Sequence, residues 1–156
     1  MPVMTMLTPE PNETPTAYAI RLLAEGYTPE EVEKRMREEK IFFPNINSTL
    51  NELLGKKGKS VEILADMVGV SASYLYQVMK GTHKRATRNL LLRIAFVLEL
   101  TINETQILLK SGNCAPLSGV RPRDVHIMYG ITNGLPYDEV NQMLSDDGML
   151  DLNARG

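Results

Sequence analysis

Cysteine is almost missing from this 156-residue chain: Cys114 is the only one, so no intramolecular disulfide can form. That fits a reducing cytoplasm. Long apolar runs are also missing. None approaches the roughly 20 residues needed to span a bilayer. The opening MPVMTMLTPE has neither a basic start nor a continuous apolar core, so it does not read as a signal peptide. The Asn-x-Ser/Thr matches at Asn12, Asn47 and Asn103 then carry no weight. The only histidines, His83 and His126, lie far apart, and there is no His-Glu-x-x-His and no cysteine pair. No metal and no cofactor is expected. A Gly-x-Ser-x-Gly elbow and a catalytic carboxylate pair are absent too. GKKGKS at 55–60 resembles a phosphate loop only superficially, because the pattern needs glycine where Leu53 stands and no strand precedes it. Nothing in the chain points to an enzyme. Sustained alternation of period two is lacking as well, so an all-α fold is expected.

What remains is a composition suited to packing, with 43% hydrophobic and 23% charged residues. The net charge is −2, but it is unevenly spread. From Gly55 to Arg93 there are eight bases (Lys56, Lys57, Lys59, Lys80, Lys84, Arg85, Arg88, Arg93) and two acids, Glu62 and Asp66. That stretch is +6 and the rest of the chain −8. A segregated basic stretch is a candidate footprint for a polyanion, set against the bland alternative of a solvated charged face.

Punctuation by proline, glycine and capping residues divides the chain. Residues 1–15 hold four of the nine prolines and read as a flexible arm. Residues 16–44 read as a helical hairpin. Its first helix carries Ala17, Ile20, Leu23 and Ala24 at helical spacing and stops at Gly26. Thr28-Pro29-Glu30-Glu31 has a capping-box start and runs to about Lys40, before the IFFPN break. Residues 45–113 hold five short helices. Asn45 or Asn47 caps the first, which GKKGK ends; Ser60, Ser71 and Thr87 cap the next three; Asn103 opens the last. Residues 114–156 read as a linker containing Pro116, Gly119 and Pro122, a second hairpin turning at Asn133-Gly134, and a tail. GYTPEEVEKRM (26–36) aligns with GLPYDEVNQML (134–144), although any two amphipathic helix starts share such features, and that plainer account is favoured.

VEILADMVGVSASYLYQVMK (61–80) is the informative stretch. Two short helices can cross closely only over a small residue, here Ala65. The corner needs a left-handed residue, here Gly69. Leu64, Val70, Leu75 and Val78 supply a small apolar core. Ser71 caps the second helix and leaves its electropositive tip exposed, which suits entry into a major groove.

At these residues the chain resembles the Cro/phage-repressor, or XRE, type of helix-turn-helix over about 46–112. The resemblance implies a compact five-helix DNA-binding domain whose third helix reads bases. It places Ala72, Ser73, Tyr74 and Gln77 at base-reading positions, and Lys80 through Lys84 on a phosphate-contacting loop. Ser60, Tyr76, Lys80, Thr82, His83, Lys84, Arg85 and Arg88 are the expected phosphate contacts. Val61 departs from the family, which often has glutamine there. One of Tyr74 and Tyr76 should face the core, since neighbours two apart on a helix point apart. The expectation is a bacterial-type transcriptional regulator: cytoplasmic, binding double-stranded DNA as a homodimer, with no membrane partner. The alternative is a protein-interaction module, such as an antitoxin or adaptor, that uses the acidic flanking helices for a protein partner.

Overall fold

The computed structural model describes residues 8–38, 45–81 and 85–153. Among them are nine α-helices and no strand. The chain divides into two compact units, residues 1–43 and 44–156.

The first unit is a hairpin of α1 (Pro15–Ala24) and α2 (Pro29–Glu38). Thr14 caps α1 by accepting from the Ala17 amide, and Pro15 fills the first helical position. Gly26, at φ 97°, turns the chain, and the Tyr27 amide bonds back to the Leu22 carbonyl. Thr28 and Glu31 exchange reciprocal bonds of 3.2 and 3.0 Å, the expected capping box. Tyr18, Leu22, Tyr27, Val32 and Met36 form the buried cluster. The face expected inside, with Ala17, Ile20, Leu23 and Ala24, is instead exposed: Ile20 is 61% and Leu23 48% accessible. Both faces of α1 have helical periodicity. The one with the larger side chains, a tyrosine and a leucine four residues apart, wins the contact with α2. Residues 8–14, read as part of a flexible arm, are tied to α1 by the Arg21 guanidinium, which donates to both Glu13 oxygens and the Thr8 carbonyl.

The second unit holds α3 (Ile46–Lys57), α4 (Val61–Val68), α5 (Ala72–Lys80), α6 (Arg88–Val97), α7 (Ile102–Ser111), α8 (Pro122–Thr132) and α9 (Tyr137–Asp146). Asn45, Ser60, Ser71 and Thr87 cap α3 to α6 through their side chains. GKKGK ends α3 as expected, at its second glycine. The helix runs through Lys57 and ends at Gly58, φ 65°. Asn103 does not open α7. Thr101 does, in a capping box with Glu104, and Asn103 lies inside the helix. Apolar α6 is central, touching α4, α7 and α9, and α3 rests on α5 and α7.

The C-terminal hairpin is continuous with this core. Ile127, Val140, Leu144 and Leu152 are each fully buried, in one cluster with Leu64, Leu75, Leu91 and Leu108. The segment read as a linker is held at several points. Gln106 exchanges two bonds with the Leu117 backbone, at 2.8 and 3.0 Å. Arg88 grips Asp124 through two 2.9 Å bonds and also donates to the Ala115 and Pro116 carbonyls. Arg123 donates to Asn89 and to the Leu150 and Asp151 carbonyls. The two repeated stretches share a turn: Leu135 bonds back to Gly130 as Tyr27 does to Leu22, and Val32 with Val140, and Met36 with Leu144, are buried in both. Where the first hairpin has Leu22, the second has Gly130.

One pH effect follows here. Both ring nitrogens of His126 face oxygens, the Pro122 carbonyl at 2.7 Å and an Asp147 carboxylate oxygen at 2.6 Å. Only the doubly protonated ring can donate to both. The Pro122 carbonyl first, then Asp147, raise the pKa above its ordinary 6.5. The resulting stability is fully present below about 6.5 and is lost as pH rises through the higher folded value. Unfolding of the parent and of His126→Gln, followed between pH 5 and 9, should show the parent losing more stability over that rise. Parallel curves would refute it.

Candidate nucleic-acid interface

The corner between α4 and α5 follows from three residues. Ala65, 1% exposed, lets the helices approach. Gly69 takes φ 79°, and the Val70 amide closes the turn on the Ala65 carbonyl at 3.0 Å. Leu64, Leu75 and Val78 are buried beneath, and Val70 packs against them half-buried. Ser71 accepts from the Tyr74 amide at 3.0 Å, which fixes the start of α5.

The outward face of α5 is set by helical period. Ser73, Tyr76, Gln77 and Lys80 are exposed, at spacings of three, four and seven. Leu75, Val78 and Met79 point into the core. Ala72 and Tyr74, expected beside Ser73 and Gln77, lie at the edges of this stripe, half-buried against the core. Of the two tyrosines, Tyr74 is therefore the inward one. Arg85 is exposed at the other end of the loop after α5. Thr82, His83 and Lys84, the remaining loop positions expected to meet phosphates, lie outside the described residues. Ser60 is exposed at the start of α4, where its hydroxyl also caps Ile63.

Two expected phosphate contacts do not fit the geometry. The Arg88 guanidinium is spent on Asp124 and two carbonyls, with only 17% of its side chain accessible. Four of its five N–H donors are engaged in this way, which makes Arg88 a structural residue in this geometry. The Tyr76 hydroxyl donates to a Glu62 oxygen at 2.9 Å. A carboxylate there opposes a phosphate at the same hydroxyl. Its own backbone amide and Tyr76 hold the Glu62 carboxyl below the usual range, so it is ionised at neutral pH. Glu62 was missed in the sequence because no local signal links it to a residue fourteen positions on.

Other bases of the +6 stretch are also committed. Lys56 pairs with Glu104 at 2.7 Å, and Lys57 reaches the Glu99 carbonyl at 3.5 Å. Among the described residues no group of His, Cys, Asp or Glu could hold a metal ion. Nor is any helix among them long and apolar enough to cross a membrane.

Two short helices crossing at a glycine corner, with the second presenting a polar stripe from its capped tip, define a helix-turn-helix unit. Residues 49–105 match the family model of the Cro/C1-type helix-turn-helix DNA-binding domain, so the chain carries a DNA-binding domain of this kind. No curated protein matches the chain, and no solved structure does.

Proposed function

We propose that the protein is a sequence-specific transcriptional regulator that acts by occupying an operator as a homodimer, without catalysis. The observation that carries this is the exposed stripe Ser73–Tyr76–Gln77–Lys80 on the second helix of a Cro/C1-type unit. Ser73 and Gln77 offer hydrogen-bonding groups to base edges, with Ala72 and Tyr74 supporting them from the margins. Ser60, Lys80 and Arg85 serve the phosphates, together with the loop residues Thr82, His83 and Lys84. One such helix makes few base contacts. Two copies would read half-sites about one helical turn apart.

The test is selection of bound duplexes from a random pool. A regulator of this kind enriches an inverted repeat. A protein-interaction module, the competing account, enriches nothing. Within the selected site, Gln77→Ala should cost about 1–3 kcal/mol and relax preference at one base pair per half-site. Lys80→Ala or Arg85→Ala should weaken binding to every duplex alike and reduce the salt slope by about one. If all three variants bound as the parent does, the stripe would not be the reading surface.

A further inference from the structure

We propose that Glu62, held in place by Tyr76, is a specificity-determining residue that selects an amine-bearing base, cytosine or adenine, at one position of each half-site. The inference rests on the DNA-reading role of α5 and adds to it a residue from α4.

Tyr76 belongs to the exposed stripe that α5 presents, beside Ser73 and Gln77. Its hydroxyl reaches across the helix pair to a Glu62 oxygen at 2.9 Å. The carboxylate is thereby carried to the edge of the reading face, and Glu62 itself remains exposed. This edge carries a full negative charge at neutral pH. A carboxylate is an acceptor only. Along a duplex its surroundings are mostly acceptors too: phosphate oxygens, guanine O6 and N7, thymine O4. Donors in the major groove come only from cytosine N4 and adenine N6. Opposite an amine the carboxylate is paired. Opposite guanine or thymine it is desolvated and repelled. A uniform array of cations and amides would hold any sequence. One fixed anion among them penalises the wrong base, a repulsive element of the kind that specificity needs. Tyr76 acts through Glu62: it consumes one carboxylate lone pair and fixes the direction of the rest, and so is a positioning residue.

The experiment is selection from random duplexes with the parent, Glu62→Ala and Tyr76→Phe, followed by titration against all four bases at the affected position. Both side chains are exposed, and thermal melts should show the variants folded. The parent should show cytosine or adenine in one column. Glu62→Ala should reduce that preference about tenfold while the column read by Gln77 keeps its base. Tyr76→Phe should weaken the same column by less, leaving the charge in place. Two results would overturn the proposal: Glu62→Ala raising affinity for all duplexes equally with every column unchanged, or Tyr76→Phe leaving the Glu62 column as sharp as in the parent. Failure of the parent to enrich any sequence would instead bring down the DNA-reading role itself, and this inference with it.

Discussion

Asp124→Ala should destabilise the protein by about 3–5 kcal/mol, lowering its midpoint of thermal unfolding by roughly 10 °C. The Asp124 side chain is 2% accessible and accepts from both terminal nitrogens of Arg88 at 2.9 Å and from the Ser118 amide at 3.0 Å. Removing the carboxylate leaves a mostly buried guanidinium without its counter-charge and one amide without an acceptor. Such a loss exceeds the net worth of the pair, because the partner left behind still bears its desolvation cost. Arg88→Ala should therefore cost less than the sum of its parts suggests when combined with Asp124→Ala. The cycle of two single variants and the double, measured by denaturant unfolding, should show a coupling of at least about 1 kcal/mol. A single-variant effect below about 1 kcal/mol would mean the pair is solvated and does not anchor α8 to α6. A fall in stability with the salt slope for DNA unchanged would support the assignment of Arg88 to structure rather than to phosphate.

The case of Arg88 also marks the limit of what the sequence makes legible. Signals that act within four or five residues read clearly. Thr28 with Glu31, Ser60, Ser71 and Thr87 each cap the helix their neighbours predict, because a capping oxygen needs only the next turn of backbone. Gly69 reads as a corner for the same local reason. Where two local signals compete, the outcome is less legible: Asn103 and Thr101 both suit a cap, and Glu104 decides for Thr101. The buried face of α1 depends on which apolar stripe meets α2, and periodicity alone ranks neither. Arg88 stands next to a basic loop and so reads as one more phosphate contact. Its true partner, Asp124, arrives from 36 residues away, carried by the packing of α8. Tyr76 and Glu62 differ in the same way, since an exposed tyrosine gives no hint that its hydroxyl is already engaged. The helix-turn-helix was visible because its spacing is a local pattern. The pairing of charges around it was not, because opposite charges find each other only after the core has set the distances.

Gly130→Ala is the second large effect, and its sign runs against helix propensity. Alanine in mid-helix is ordinarily better than glycine by about 1 kcal/mol. Gly130 lies inside α8 and is buried where α8 meets α9 and the side of α6. A Cβ there would overlap the Val140 Cγ2 methyl and press on the Phe96 ring at 3.2 Å. Val140 is fully buried, so its methyl cannot move aside into solvent. Overpacking of this sort costs about 1–3 kcal/mol, occasionally more, and here must also cancel the propensity gain. With the propensity gain subtracted, the net expectation is a loss of about 1 kcal/mol. The mechanism has its own control. Val140→Ala removes the methyl that the new Cβ would strike, at the cost of a cavity of its own. If overlap is the cause, Gly130→Ala should be much less harmful in the Val140→Ala background, and the two changes should couple favourably. Simple additivity would leave the overlap without effect. A Gly130→Ala variant more stable than the parent would go further, since the close approach of α8 to Val140 and Phe96 could not then be what keeps this hairpin on the DNA-binding core.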